Sequence, residues 1–163
     1  MLKVGIIGAG RIGKVHTESI CNYVKNAEVK AIADPFLSEE TAAWAKKLGV
    51  EVVTKDYHEI LVDPEIGAVL ICSSTDTHSP ISIEAIHAGK HIFCEKPIDH
   101  DVAKINEVRK ALEGTGLKYQ VGFNRRFDHN FEAVRNAVQA GKIGEPHIVK
   151  ILSLIHISEP TRP

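Results

Sequence analysis

The fold is decided by the stretch KVGIIGAGRIG, which runs from Lys3 to Gly13. Its first half is short, apolar and β-branched, as expected for a buried strand, and an amphipathic pattern typical of a helix begins at Arg11. Three glycines at the junction have the spacing G-x-G-x-x-G. Glycine triplets alone are a weak signal, so the inference depends on this strand–turn–helix context.

Each glycine has a separate physical role in such a turn. Gly8 permits a tight turn, Gly10 lets the backbone approach a bound group closely, and Gly13 lets the helix lie against the strand. The unpaired N–H groups at the start of the helix, from Arg11 and Ile12 onward, then face a negatively charged group. The stretch therefore predicts a site for the pyrophosphate of a dinucleotide.

Asp34 is the second feature expected of a dinucleotide site, because it ends the second predicted strand about 20 residues after Gly13. A carboxylate there accepts hydrogen bonds from the ribose hydroxyls and repels a 2′-phosphate. No Arg or Lys occurs within residues 35–40 to offset that repulsion, so we predict NAD rather than NADP. The alternative is that Asp34 only begins a turn before Pro35.

Strand and helix patterns alternate along the rest of the chain. The predicted strands are residues 3–8, 28–33, 51–53, 68–72, 91–94 and 118–123, and the predicted helices are residues 11–25, 38–48, 56–62, 77–88, 101–112 and 128–140. Repeated alternation implies parallel strands with right-handed crossovers, hence an α/β fold with a doubly wound parallel sheet. One more strand is predicted at 147–151.

Composition excludes several other classes of protein. The 163 residues are 44% hydrophobic and 25% charged, as in a globular protein, and the 20 basic and 21 acidic residues form no basic stripe for a nucleic acid. No apolar run approaches the roughly 18–20 residues of a membrane-spanning helix. Cys21, Cys72 and Cys94 are far apart, which favours reduced thiols in the cytoplasm over disulfides or a metal site.

A second cluster, Glu95-Lys96-Pro97, follows the predicted strand HIFC. Strand order places Lys96 at a carboxyl end of the parallel sheet, where ligands bind in doubly wound folds. Burial beside a cofactor ring strips water from an ammonium group and favours the neutral form that accepts a proton. The alternative is a solvated lysine in a surface turn. Cys94 lies inside the apolar strand, which favours a place in the core over a nucleophile.

Five separated motifs, GAGRIGKVH, AIADP, CSSTDTH, AGKHIFCEKP and VGFNRRFD, occur in this order. In order and spacing they resemble the family of glucose–fructose oxidoreductase, inositol dehydrogenase and rhizopine-catabolism proteins (Gfo/Idh/MocA), with the inositol 2-dehydrogenases as the most similar members. The resemblance covers about residues 1–151. It implies NAD-dependent oxidation of a polyol CH–OH group, such as that of myo-inositol to its 2-keto form, with hydride transfer to the nicotinamide. The alternatives are a nucleotide-binding module without turnover and another sugar dehydrogenase of the same family.

The resemblance also implies roles for individual residues. It places Lys96 beside the nicotinamide and the substrate hydroxyl, with Glu95 next to the cofactor and a Lys96–Pro97 bond that is often cis in the family. It places one loop near the cofactor, formed by Ser73, Ser74, Thr75 and His78. His78 has an alternative role, capping or packing at the start of the following helix.

Three more residues match the family but have structural alternatives. Arg125 and Arg126 follow a predicted strand where a guanidinium fork could hold polyol oxygens, with Arg125 preferred. Either arginine could instead pair with Asp128 or Glu132. His16 matches a residue common in the family, although packing within the helix explains it more economically.

The resemblance implies that much of the enzyme is missing. Family chains are about twice as long, and their second, α+β domain supplies an aspartate and a histidine four residues apart, a pair with no match here. We expect a Rossmann domain over 1–123, a connecting helix and first strand over 124–151, and a non-native tail over 152–163. The tail reads LSLIHISEPTRP and resembles a translated sequencing adapter, with a genuine strand as the alternative. We expect the intact enzyme to be a homo-oligomer.

Overall fold

Six parallel strands form one sheet in the computed structural model, which describes residues 1–150. The strands are β1 (Leu2–Ile7), β2 (Ala27–Ala33), β3 (Val52–Thr54), β4 (Ile66–Ile71), β5 (His91–Cys94) and β6 (Tyr119–Val121). Their order across the sheet is β3-β2-β1-β4-β5-β6, and every neighbouring pair is parallel. The predicted doubly wound parallel sheet is therefore confirmed.

Helices follow the strands as the sequence pattern predicts. They are α1 (Arg11–Tyr23), α2 (Glu39–Lys47), α3 (His58–Val62), α4 (Thr75–His87), α5 (Val102–Leu112) and α6 (His129–Gln139). Ser38 caps α2 as expected, because its side chain accepts a hydrogen bond from the backbone N–H of Thr41 at 3.1 Å. Most boundaries differ from the predicted ones by one or two residues, the usual uncertainty at frayed helix and strand ends.

The two faces of the sheet are covered by different helices. On one face, Val4 and Ile6 of β1 pack in a cluster with residues of α2, and Ile20 of α1 lies against it. On the other face, Ile7 joins a cluster that includes residues of α3, α4 and α5. Burial on both faces explains why the central strands read as nearly continuous apolar runs.

The chain divides into two compact units, Met1–Phe123 and a second that begins at Asn124. Within the second unit, a 3₁₀ helix spans Asn124–Phe127 and is followed by α6. Asp128 caps α6, and its Oδ1 accepts hydrogen bonds from two backbone N–H groups at 3.0 and 3.2 Å.

The strand predicted at 147–151 is wrong over its described part, since residues 147–150 form no strand. A strand needs a neighbour to satisfy its N–H and C=O groups, and the second unit contains no other strand up to residue 150. Residue 151 and the predicted non-native tail, 152–163, lie outside the described residues. No helix among residues 1–150 is long and apolar enough to cross a bilayer.

A buried carboxylate ties the segment after β5 to α4. Oδ2 of Asp99 accepts a hydrogen bond from the Ser79 hydroxyl at 2.5 Å, and Oδ1 accepts one from the Asp101 N–H at 3.0 Å. These hydrogen bonds lower the pKa of Asp99 below its ordinary value of 3.8. The carboxylate therefore stabilises the fold at neutral pH, and this contribution is lost as the pH falls through the lowered pKa.

We predict that Asp99→Asn lowers the free energy of unfolding at pH 7, because an amide cannot accept both hydrogen bonds as a carboxylate does. The difference between wild type and variant should shrink as the pH falls below the ordinary Asp pKa of 3.8 and through the lowered pKa of wild-type Asp99. Urea unfolding at several pH values measures this difference. Glu51→Gln, at an exposed carboxylate, is the control. A difference that stays constant with pH contradicts the prediction.

Candidate functional site

A cleft of about 460 Å³ opens at the carboxyl ends of β1, β2 and β4. Strands β1 and β4 are neighbours, and the helices that follow them pack on opposite faces of the sheet. Ligands of doubly wound folds bind at such a reversal of strand order. The cleft is bordered by several residues predicted from the sequence to bind a cofactor, namely Gly8, Gly10, Asp34, Ser73 and Ser74.

The three glycines of the first turn have different surroundings. Gly8 has φ +99°, and a Cβ there would lie 2.6 Å from the backbone nitrogen of Ser73. A Cβ on Gly13 would collide with the carbonyl oxygen of Gly8. In contrast, a Cβ on Gly10 would meet no atom within 4 Å. Gly8 and Gly13 are therefore required by packing, whereas Gly10 leaves open space where a ligand can approach the backbone.

The start of α1 is electrostatically unbalanced in favour of an anion. Gly10 is its N-cap and provides no side-chain hydrogen bond, and the first turn contains no acidic residue. The N–H groups of the first turn, including those of Arg11 and Ile12, have no partner within the helix. Together with the helix dipole, they suit the negative charge of a pyrophosphate. The open space at Gly10 fits the same group.

Asp34 connects two loops at the rim of the cleft. Its Oδ2 accepts a hydrogen bond from the N–H of Ala9 at 2.6 Å, and its Oδ1 accepts one from the N–H of Phe36 at 2.8 Å. The second hydrogen bond belongs to the turn before Pro35, which was the alternative role of Asp34 in the sequence analysis. Each carboxylate oxygen has a further lone pair, so the turn and a ribose contact are compatible.

The loop after β4 borders the cleft opposite Asp34. Ser73 and Ser74 line it, and the hydroxyl of Ser73 lies 2.6 Å from that of Thr77, which also lines it. Thr75 is the first residue of α4 and is not among the lining residues. Sequence reasoning missed Thr77, although it lies one helical turn after Ser73 and so faces the same side.

His78 is buried beneath this loop, with 2% of its surface exposed. Its Nδ1 lies 2.7 Å from the carbonyl oxygen of Pro97, and its Nε2 lies 3.0 Å from that of Ser73. Burial disfavours the charged ring, but the Cys94 side chain and the two carbonyl oxygens outweigh it and raise the pKa of His78 to about 9. Both nitrogens then donate, so His78 holds two loops together and presents neither nitrogen to the cleft.

Lys96 lies beyond β5 at the same carboxyl edge of the sheet, with an exposed side chain. Its peptide bond to Pro97 is cis, as the resemblance implied. The preceding Glu95 is more enclosed, and its Oε1 lies 2.8 Å from Nε2 of His16 on α1. The His16 ring meets the Phe93 ring edge-on at 5.2 Å. His16 therefore packs against β5 and fixes the carboxylate beside Lys96.

The cysteines near the site have no nucleophilic character. Cys94 is fully buried, which confirms its predicted place in the core. Cys72 lines the cleft, but burial, followed by the nearby Glu95 charge, raises its pKa to about 12, so the thiol stays protonated. Residues 1–150 contain no group of three His, Cys, Asp or Glu side chains suited to a metal ion.

Arg125 and Arg126 belong to the second unit. Nη1 of Arg125 lies 3.3 Å from Oδ2 of Asp128, and its guanidinium lies 5.5 Å from the centre of the Phe131 ring. The ion pair that was the alternative role of Arg125 is therefore present. Both arginines are exposed. The two contacts of Arg125 do not test the predicted binding of polyol oxygens.

Other cleft residues that were not identified from the sequence include Phe36, Lys55 and Tyr57. Phe36 follows Asp34 closely, so proximity to a predicted ligand contact could have suggested it. Tyr57 donates a hydrogen bond to Glu84 at 2.8 Å, and burial together with this partner raises its pKa to about 12. Lys55 follows β3, so its place at the cleft depends on how the strands pair.

Comparisons with known proteins show the family of this chain. A family model described as "Oxidoreductase family, NAD-binding Rossmann fold" (GFO_IDH_MocA) matches residues 2–123. The chain is 44% identical over 149 residues to "Uncharacterized oxidoreductase YrbE" of Bacillus subtilis, covering 91% of this chain and 43% of that protein. It is 41% identical over 152 residues to the myo-inositol 2-dehydrogenase of Thermotoga maritima, covering 93% and 45% respectively.

A solved structure provides a third comparison. The crystal structure of scyllo-inositol dehydrogenase from Lactobacillus casei, with bound cofactor NAD(H) and scyllo-inositol, superposes with a TM-score of 0.83 at 37% identity, covering 89% of this chain and 43% of that one. The chain thus spans less than half the length of these relatives. The match over the whole first unit, together with the glycine turn and the cleft, shows that the chain belongs to the GFO_IDH_MocA oxidoreductase family, with an NAD-binding Rossmann fold.

Proposed function

We propose that the cleft of this chain binds NAD, and that a protein of the relatives' full length uses it to oxidise a polyol CH–OH group, specifically that of myo-inositol to its 2-keto form. The observation that carries the proposal is the open space at Gly10, beside Asp34 and directly before α1. The first turn of α1 has no side-chain cap and no acidic residue. The relatives named as myo-inositol and scyllo-inositol dehydrogenases support the substrate class.

Several groups of the chain would hold the cofactor. The backbone at Gly10 and the N–H groups of Arg11, Ile12 and Gly13 would bind the pyrophosphate. Asp34 would accept hydrogen bonds from the adenosine ribose. We assign further cofactor contacts to the loop after β4 and to the segment after β5, through Ser73, Ser74, Thr75, Glu95 and Lys96. His78 contributes by fixing the loop between Ser73 and Pro97.

Lys96 is the residue we assign to the proton step. Bound NAD supplies the hydride acceptor, and Lys96 would accept the proton of the same substrate hydroxyl. Its side chain is exposed and is therefore accessible to a bound ligand. We assign Arg125, with Arg126 as its neighbour, to the polyol oxygens, for which a planar guanidinium is suited.

The second candidate function is a nucleotide-binding module without turnover. It is favoured for this 163-residue chain because the chain covers only 43–45% of the relatives named above. The two candidates share the cofactor site and differ in whether a substrate is oxidised. For a protein of the relatives' full length we propose a cytoplasmic homo-oligomer, and the three free cysteines of this chain support a reducing compartment.

For the 163-residue chain we predict binding of NAD without oxidation of myo-inositol. Isothermal titration with NAD measures the first, and NADH absorbance in the presence of myo-inositol measures the second. Heat of binding with flat absorbance supports the module. A rise in absorbance that depends on inositol shows that these residues suffice for turnover. The absence of any NAD binding contradicts the proposed function itself.

The glycine pair offers a matched test of the cleft. We predict that Gly10→Ala weakens NAD binding at least about tenfold, or about 1.4 kcal/mol, because its methyl group enters the space proposed for the pyrophosphate. Gly10 has φ −68°, which alanine adopts without strain, so the stability should be unchanged. Gly13→Ala should instead lower the free energy of unfolding by about 1–3 kcal/mol through its collision with Gly8. Titration and urea unfolding of both variants separate the two effects, and equal NAD affinity in Gly10→Ala contradicts the assignment.

We also predict that Asp34→Ala relaxes the preference for NAD over NADP, since it removes the charge that repels a 2′-phosphate. Alanine also removes the hydrogen bonds to Ala9 and Phe36, so Asp34→Asn, which keeps one acceptor oxygen, is the informative partner. Both variants should lower the ratio of NAD affinity to NADP affinity by about tenfold or more. An unchanged ratio in both variants would show that the ribose is bound elsewhere.

A further inference from the structure

Lys55 reaches the cleft through the pairing of two strands. Ala33 of β2 is in register with Thr54 of β3, and the backbone N–H of Asp34 donates to the carbonyl oxygen of Thr54 at 3.1 Å. Lys55 is the next residue after Thr54, and Lys55 and Asp34 both line the cleft. The two residues therefore stand side by side at the strand ends, although they are far apart in sequence.

The ammonium of Lys55 has no partner within the described part of the chain. It makes no ion pair within 4.0 Å up to residue 150, whereas Lys30 pairs with both Asp63 and Glu65. Its side chain is exposed and lines the cleft, so its ammonium group is accessible to a ligand there. A lysine in that state can bind a phosphate group without breaking an existing contact.

This position changes the charge balance at the ribose end. Asp34 repels a phosphate there, and the sequence offers no cation among the six residues that follow it. Lys55, which follows the neighbouring strand β3, supplies the cation instead. We propose that Lys55 is a second specificity-determining residue of the cleft and binds the 2′-phosphate of NADP. NADP is then a secondary ligand, which binds more weakly than NAD. This inference rests on the proposed binding of NAD in the same cleft.

A substitution at Phe36 distinguishes recognition of the adenosine from binding of the 2′-phosphate. It lines the cleft two residues after Asp34, with 91% of its surface exposed, so it presents a ring surface on which an adenine can stack. The adenine is common to both coenzymes. A change at Phe36 therefore affects them equally, whereas a change at Lys55 affects only the ligand that carries the extra phosphate.

The test compares 5′-AMP with 2′,5′-ADP, and NAD with NADP, by isothermal titration of the full chain. Lys55→Met, which removes the charge and keeps the length, should weaken 2′,5′-ADP and NADP about five- to tenfold and leave 5′-AMP and NAD within about twofold. Lys55→Arg should retain the affinity for the 2′-phosphate. The control is Lys25→Met, an exposed lysine outside the cleft lining, and Phe36→Ala should weaken all four ligands alike.

The outcomes distinguish this inference from the function on which it rests. If the wild-type chain binds NAD, but Lys55→Met and Lys25→Met have the same affinity for 2′,5′-ADP, the role of Lys55 is overturned and the NAD site stands. If the wild-type chain binds neither NAD nor 5′-AMP, both are overturned. In the Asp34→Asn background, Lys55→Met should cancel the gain in NADP affinity, and a gain that persists also overturns the proposal.

Discussion

The close approach of backbone to backbone at the first turn is the constraint on which the site depends. Side chains at Gly8 and Gly13 would collide with the loop after β4 and with the turn itself, respectively. Because both positions lack a Cβ, α1 can begin directly at the end of β1, with its N–H groups at the cleft. The same proximity brings the loop after β4 within reach of the turn, so the two walls of the cleft form together.

Hydrogen bonds connect the loops that this geometry brings to one edge of the sheet. Asp34 joins the segment after β2 to the glycine turn through the N–H of Ala9. His78 joins the loop after β4 to the segment after β5 through the carbonyl oxygens of Ser73 and Pro97. Each link uses backbone groups on at least one side, so the loops are fixed by main-chain positions. Such a cleft is largely formed before a ligand arrives, which lowers the entropic cost of binding.

The sequence predicts the part of this arrangement that depends on local pattern. Strand and helix periodicity, the glycine spacing and the place of Asp34 are all visible within short windows, and the structure reproduces the sheet and the cleft around them. Lys55 could not be found this way, because its position depends on the register of β3 against β2. The strand predicted at 147–151 is absent over residues 147–150 for a related reason, because a short window of sequence does not show whether a partner strand is present.

The pairing of His16 with Glu95 bears on how Lys96 can act. A carboxylate adjacent in sequence to a lysine can form an ion pair with it, which would hold the proton on the ammonium. Here the Glu95 side chain is directed to Nε2 of His16 at 2.8 Å, and Lys96 makes no ion pair among residues 1–150. The carboxylate that adjoins Lys96 in sequence is thus in contact with His16. The exposed Lys96 side chain therefore has no ion pair within residues 1–150 that a ligand would have to break, which suits the proton step proposed for it.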